Sequence, residues 1–289
     1  MRHISIDPQR LVVPELALGC MRIADLEPQA LDRLLATALE LGINFFDHAD
    51  VYGAGRCETV FAAAVKRLKL PREDLLLQGK CGIHDGQFDF SREHILKSVD
   101  GILQRLNTDY LDVLVLHRPD ALVEPDEVAA AFHQLQAGGM VRHFGVSNHN
   151  PAQIELLQHS LPQKLLFNQL QLSIAFTPMI DAGLHVNMHD EPALMRDGGV
   201  LDYCRLKGIT VQAWSPFQHG FFAGPFLGNP AFAPLNAVIH RLAQSHGVTD
   251  TAIAVAWISR HPARIQTVLG STSPQRLRDA ARSQGFVLS

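Results

Sequence analysis

Asp47, Tyr52, Lys80 and His117 are four side chains whose types fit a single piece of chemistry. A carbonyl carbon that accepts hydride leaves alkoxide charge on its oxygen. That oxygen needs a proton donor, and a phenol with its ordinary pKa of about 10 is too weak unless a cation lies close. Lys80 has the charge for this task, Asp47 could keep the ammonium charged and oriented, and His117 could hydrogen-bond the substrate oxygen from the other side. Gly53 and Gly55 beside Tyr52 permit close backbone approach. Singly, each residue has an ordinary explanation: an Asp capping a turn, a Tyr packing in a loop, a His satisfied behind other groups. Their joint placement argues for chemistry, because each falls at or just beyond the end of a consecutive strand-like segment.

Those segments come from a regular alternation along the chain. Residues 16–19, 44–47, 75–78, 111–116, 144–146, 165–169, 210–214 and 265–269 read as eight short aliphatic strands. Between them lie apolar residues at helical spacing: Leu31, Leu34, Leu35, Ala38 and Leu39 on one face, and Ile95, Val99, Ile102, Leu103 and Leu106 on another. Residues 57–68, 128–135, 235–246 and 252–261 also read as helices. Ser91, Asn150-Pro151 and Ser273-Pro274 supply caps or a proline at the first helical position. Strand and helix in alternation predict parallel strands joined by crossover helices, and the even spacing favours a closed (β/α)8 (TIM) barrel, α/β in class, as one domain over residues 1–289. In such a barrel the carboxyl ends of the strands gather the catalytic groups. Two stretches, 173–199 and 216–234, resist the pattern and are expected as long loops over that face.

Composition narrows the partner. The chain has 289 residues, 47% of them apolar and 19% charged, ample for one packed core. A formal charge of −4 and a pI near 6.4 without a Lys/Arg cluster argue against nucleic acid or an anionic membrane, leaving a small molecule. Cys20, Cys57, Cys81 and Cys204 form no C-x-x-C pair, the first residues lack the apolar stretch of a signal peptide, and no apolar run approaches the roughly 20 residues of a membrane span. The expectation is a cytoplasmic protein with reduced thiols, monomeric by default.

Around the four residues the sequence resembles the aldo-keto reductase family, whose tetrad is Asp, Tyr, Lys and His on this barrel. The segments that carry the likeness are Asp47-His48-Ala49-Asp50-Val51-Tyr52-Gly53, Gly79-Lys80-Cys81-Gly82 and Leu116-His117-Arg118-Pro119-Asp120. It looks closest to a bacterial branch carrying Asp-His-Ala-Asp and His-Arg-Pro-Asp at these places. The resemblance implies reduction of a carbonyl substrate with NADPH, NAD being a weaker alternative, and a set of cofactor-binding residues. Ser147, Asn148 and Gln169 would hold the nicotinamide carboxamide. Trp214, followed by Ser215, Pro216 and Phe217, would stack on its ring, with Gly19, Cys20 and Met21 lining the first strand end. Gly270, Ser271, Thr272, Ser273 and Arg276 would grip the adenosine 2′-phosphate. Met21 and Phe217, with the two long loops, would also shape the substrate pocket.

The residues taken alone agree with much of this. Ser147, Asn148 and Gln169 are uncharged donors and acceptors suited to a neutral amide, and an indole offers a stacking platform. Residues 270–273 at a helix start, followed by Arg276, suit an anion. No G-x-G-x-x-G fingerprint follows any strand, which counts against a Rossmann site. Gly270-Ser271-Thr272-Ser273 lacks the Lys or Arg that many relatives carry, so 2′-phosphate recognition falls on Arg276 and a weak NADP preference is expected. Asp279-Ala280 replaces a Glu-Asn pair that often contacts adenine. The chain ends at Phe286-Val287-Leu288-Ser289, where relatives usually continue into a helix and loop, so either an open pocket or an incompletely covered barrel flank is expected. Two other readings compete: a divalent metal for hydrolysis held by His48, Asp50, His117 and His143, and a non-catalytic NADP(H) sensor.

Overall fold

The eight aliphatic runs become eight parallel strands because each is buried on both faces, as a sheet covered by helices requires. In the computed structural model, which describes residues 1–7 and 11–288, they are β1 (Leu16–Gly19), β2 (Phe45–Asp47), β3 (Leu76–Cys81), β4 (Leu111–Leu116), β5 (Val141–Ser147), β6 (Leu165–Gln171), β7 (Thr210–Trp214) and β8 (Gln266–Leu269). They close in sequence order into a barrel, with β8 pairing β1 through Thr267 and Leu16. Ser289, the last residue of the short C-terminal stretch, lies outside the described residues.

The helices α1 (Pro28–Glu40), α2 (Arg56–Leu68), α3 (Arg92–Leu106), α4 (Pro125–Ala137) and α5 (Pro151–Ser160) follow the first five strands. Each turns one apolar stripe inward: in α1 the buried side chains include Leu31, Leu34, Leu35 and Ala38, and in α3 Ile95, Val99, Ile102, Leu103 and Leu106. Ser91 accepts a hydrogen bond from the His94 backbone N–H at 3.2 Å, and Asn150 with Gln153 forms a reciprocal capping box. The expected loop 173–199 contains a short helix, Pro178–Leu184, and the helices Val200–Lys207, Ala233–His246, Asp250–Ser259 and Pro274–Ala281 complete the ring.

Two hairpins fall outside the strand-helix alternation. His3–Asp7 pairs with Leu11–Pro14, and its Ile4, Leu11 and Val13 pack with Ala17, Phe45, Val113, Val115, Phe167 and Val268 inside the barrel, closing the end opposite the strand carboxyl termini. After β3, Ile83–His84 pairs with Gln87–Phe88 across Asp85-Gly86, both at positive φ (49° and 78°), the two-residue turn that Asp-Gly favours.

Inside the barrel, the Phe45 and Phe167 rings lie 6.3 Å apart, and Gly145 leaves the room that Phe167 needs. A Cβ on Gly145 would stand 2.9 Å from the Phe167 Cβ and 3.0 Å from its carbonyl oxygen, so the strands would have to separate. Gly145→Ala is expected to lower stability by roughly 1–3 kcal/mol in urea denaturation. An unchanged midpoint and slope would show that β5 and β6 yield freely.

Candidate active site

Strand register gathers the four chemical residues. Asp47 ends β2 beside Gln78 of β3, Lys80 stands two residues further along β3 opposite Val115, and His117 follows β4 directly. Tyr52 opens a tight turn, Tyr52–Gly55, in which Gly53, Ala54 and Gly55 all have positive φ (57°, 52° and 84°). A Cβ on Gly55 would sit 2.7 Å from the flexible Arg105 side chain of α3, which could shift, so it is the positive φ that favours glycine there. The turn swings Tyr52 over the barrel mouth: the Lys80 Nζ lies 4.7 Å from the centre of its ring, and the His117 ring meets it edge-on at 5.7 Å.

Lys80 is fully buried. Its ammonium donates to Asp47 Oδ1 at 2.6 Å and to the His48 carbonyl at 2.9 Å. An ammonium has three N–H donors, so one is left for the phenol side. Burial on its own would drive a lysine towards neutrality. The Asp47 charge and the Tyr52 phenol outweigh it, and the Lys80 pKa rises above its ordinary value. Burial likewise raises the Tyr52 phenol above its ordinary pKa, with Lys80 pulling it down and Asp47 pushing it up. The expectation that Lys80 makes the resting phenol more acidic than usual is therefore corrected: burial is the larger effect, and Lys80 offsets part of it. His117 is held neutral, well below its ordinary pKa, by burial and by the charges of Lys80 and Arg118, and its Nδ1 has no hydrogen-bond partner.

Asp47 Oδ1 also accepts from Gln78 Nε2 at 2.6 Å and Gln169 Nε2 at 3.1 Å. From there an amide chain descends through the barrel. Gln78 and Gln169 both donate to Gln212 Oε1, Gln212 donates to Gln266 Oε1 at 2.8 Å, and Gln266 donates to the Pro14 carbonyl of the N-terminal hairpin, also at 2.8 Å. Sequence reasoning missed this layer. Its signal is four glutamines on four fully covered strands, where a polar side chain needs a partner.

The residues expected to bind the cofactor lie around the same rim. Ser147 donates to the Gln169 carbonyl at 2.9 Å and accepts from Asn148 Nδ2 at 2.8 Å, and Asn148 Oδ1 accepts from the Trp214 indole N–H at 3.2 Å. Asn148 and Ser215 both take positive φ, 60° and 51°. Trp214 and Asn148, with Arg118, Phe88, Phe176 and Phe221, border a cavity of about 540 Å³. Phe217 packs between two apolar clusters, and Pro216 is buried. Cys20 turns its thiol inward to the Leu18 carbonyl at 3.6 Å and is fully buried, so only its backbone and its neighbours Gly19 and Met21 face this region. Gly270, Ser271, Thr272 and Ser273 run from β8 into the helix Pro274–Ala281, which Ser273 caps, and Arg276 extends from its first turn, exposed.

The chain as a whole is similar to known proteins. A profile of the aldo/keto reductase family matches residues 15–289. The chain belongs to that family. It is 33% identical over 295 aligned positions to "Oxidoreductase YdhF" of Escherichia coli, covering 98% of this chain and 92% of that one. It is 31% identical to "6-dehydroglucose reductase" of Agrobacterium fabrum, covering 97% and 92%. In fold it is similar to an aldo-keto reductase from Klebsiella pneumoniae solved in complex with NADPH, at a TM-score of 0.78 and 22% identity over 97% of this chain and 89% of the other.

For this aldo/keto reductase the alternative metal centre is not assembled: among the described residues, no three of His48, Asp50, His117 and His143 bring donor atoms together, and the Lys80 charge disfavours a further cation near His48 and His117. His48 is instead a core residue, fully buried, edge-on to Phe61 at 4.6 Å, with neither ring nitrogen hydrogen-bonded. Burial, then the Lys80 charge, lowers its pKa to about 3. A depressed histidine pKa contributes stability that is present above the unfolded value of about 6.5 and is lost as pH falls through the folded value. His48→Leu should therefore take up about one proton fewer on unfolding between pH 6.5 and 3, reducing the pH slope of ΔG by up to about 1.4 kcal/mol per unit. Parallel wild-type and variant curves from urea denaturation would contradict the buried neutral imidazole.

Proposed function

We propose that this chain reduces an aldehyde or ketone to an alcohol with NADPH, Tyr52 being the proton donor. The observation that carries the reading is the buried Lys80 ammonium, held by Asp47 and the His48 carbonyl with its third donor towards the phenol. The residues suit the cofactor in three respects. Ser147 and Asn148 form a neutral hydroxyl-and-amide pair fit for a carboxamide, steadied by the Gln169 backbone carbonyl, while the Gln169 amide is engaged by Asp47 and Gln212. Trp214 is pinned through its N–H so that its ring stands at the cavity wall, and a Cβ on Gly270 would meet nothing within 4 Å, leaving the β8 end open beside Arg276. The NADPH bound to the Klebsiella pneumoniae relative and the reductase name of the Agrobacterium fabrum relative support the same reading.

When bound, NADPH would supply the hydride that the carbonyl carbon accepts. Tyr52 gives its proton to the carbonyl oxygen as charge develops there. The raised phenol pKa keeps Tyr52 protonated at rest, as a general acid must be, while Lys80 offsets the charge left on the phenolate when the proton departs. Neutral His117 has a hydrogen to donate to the same oxygen without competing as an acid. Asp47 touches neither substrate nor proton in this scheme. It keeps Lys80 charged and in place. A sensor needs none of this, which favours turnover over mere binding. The four cysteines are free and buried, in keeping with a cytoplasmic setting, and no helix among the described residues is long and apolar enough to cross a membrane.

Tyr52→Phe is expected to cut the rate of NADPH-dependent reduction by roughly 10²- to 10⁴-fold while cofactor affinity stays nearly constant. Wild-type turnover in that variant would assign the proton to another group. Arg276→Ala is expected to weaken NADPH far more than NADH, because only the former carries a 2′-phosphate for the guanidinium. Equal loss for both, measured by fluorescence titration, would remove Arg276 from that role.

A further inference from the structure

The hairpin after β3 and the start of α3 bring together three side chains that the reductase chemistry does not use. His84 closes the first hairpin strand, Asp89 follows the second, and His94 lies in the first turn of α3. One donor atom from each lies within 4.8 Å of the other two, and the two imidazoles stack with centroids 4.8 Å apart at 28°. The spacing H-x4-D-x4-H becomes a cluster because the Asp85-Gly86 turn folds the chain back and the Asp89 N–H bonds the Gly82 carbonyl at 3.1 Å.

On each of the three side chains one polar atom is held by a neighbour and the other is left over. His84 Nδ1 is 3.3 Å from the Asp85 carboxylate, while its Nε2 points to Asp89 Oδ2 at 3.8 Å. Asp89 Oδ1 accepts the Ser91 backbone N–H at 2.8 Å, freeing Oδ2. His94 Nε2 lies 3.3 Å from Ser98 Oγ, which leaves Nδ1. This is how metal-binding histidines are oriented: one nitrogen fixed by a carboxylate or hydroxyl, the other presented as a ligand. His84 and Asp89 keep 44% and 34% side-chain exposure, so an ion can enter from solvent and keep water as a further ligand.

We propose that His84, Asp89 and His94 bind a divalent first-row cation, zinc foremost, at a site separate from the reductase tetrad. Two imidazoles and a carboxylate without a thiolate are borderline donors that suit zinc, and three protein ligands leave an open coordination position. Tetrahedral zinc with bonds of about 2.0–2.1 Å sets ligand atoms roughly 3.3 Å apart, a contraction that side-chain rotation can supply. Phe88 of the same hairpin borders the cavity beside Trp214, so the ion would tie down one wall of the substrate pocket.

The test is isothermal titration of chelator-treated protein with zinc chloride, using wild type, His84→Ala, His94→Ala and, as a surface-histidine control, His133→Ala, each checked for folding by circular dichroism. Expected is one saturable zinc per chain in wild type and in His133→Ala, with affinity weakened at least about 10-fold in both His84→Ala and His94→Ala, since even outer-shell changes weaken metal sites by 10- to 100-fold. Absence of saturable binding in wild type, or wild-type affinity in either ligand variant, would overturn the site and leave the cluster as a polar anchor for the hairpin. Because the readout is binding, the outcome is independent of whether the chain reduces carbonyls.

Discussion

Everything at the barrel mouth is arranged around an ammonium taken fully out of water. Moving a charge into such a place costs several kcal/mol, and an ion pair alone often fails to offset it. Here the compensation is complete enough to keep Lys80 charged: one short bond to Asp47, one to the His48 carbonyl, and a phenol on the remaining side. A buried pair of this kind is a poor way to stabilise a fold, and here it keeps a charge directly beside the Tyr52 phenol. In a dry site the charge acts on Tyr52 with little screening, whereas on the surface it would be worth a fraction of that.

The barrel supplies what the ion pair needs. Parallel strands in strict order put Asp47, Lys80 and His117 at neighbouring strand ends, and the positive-φ turn after Tyr52 returns the fourth group over them. Below, the amide chain through Gln78, Gln169, Gln212 and Gln266 gives the Asp47 carboxylate two more donors and carries hydrogen bonding down to Pro14. A carboxylate with three donors on one oxygen has little freedom to turn away, and so neither has the lysine it holds. Gln169 links two layers of bonding, since its amide nitrogen donates to Asp47 while its backbone carbonyl accepts from the Ser147 hydroxyl of the neighbouring strand.

Much of this was legible from residue types alone. Eight apolar runs, helical stripes such as Leu31-Leu34-Leu35-Ala38, and caps at Ser91 and Asn150 all obey local rules that the tertiary structure does not override. Strand limits moved by a few residues, as at β3, which runs on to include Lys80 and Cys81. The N-terminal hairpin was not foreseen because its short strands read as an extended terminus; only the open barrel end gives Ile4, Leu11 and Val13 something to cover. The Asp85-Gly86 hairpin carried a clear turn signal, but its strands of two residues are too short to show a period. The direction of the Tyr52 shift could not be read from the sequence, because burial and charge oppose one another and only the depth of the site decides between them.

The claim at the centre is that the Lys80 charge lowers the cost of ionising Tyr52 within a site that otherwise raises it. With tyrosine labelled at ¹³Cζ, the three tyrosines of the chain can be followed by NMR through an alkaline titration, Tyr52→Phe identifying the signal. Lys80→Met should move the Tyr52 titration to higher pH than in the wild-type protein, leaving Tyr110 and Tyr203 where they were. A Tyr52 titration that is the same with and without the ammonium would contradict the account.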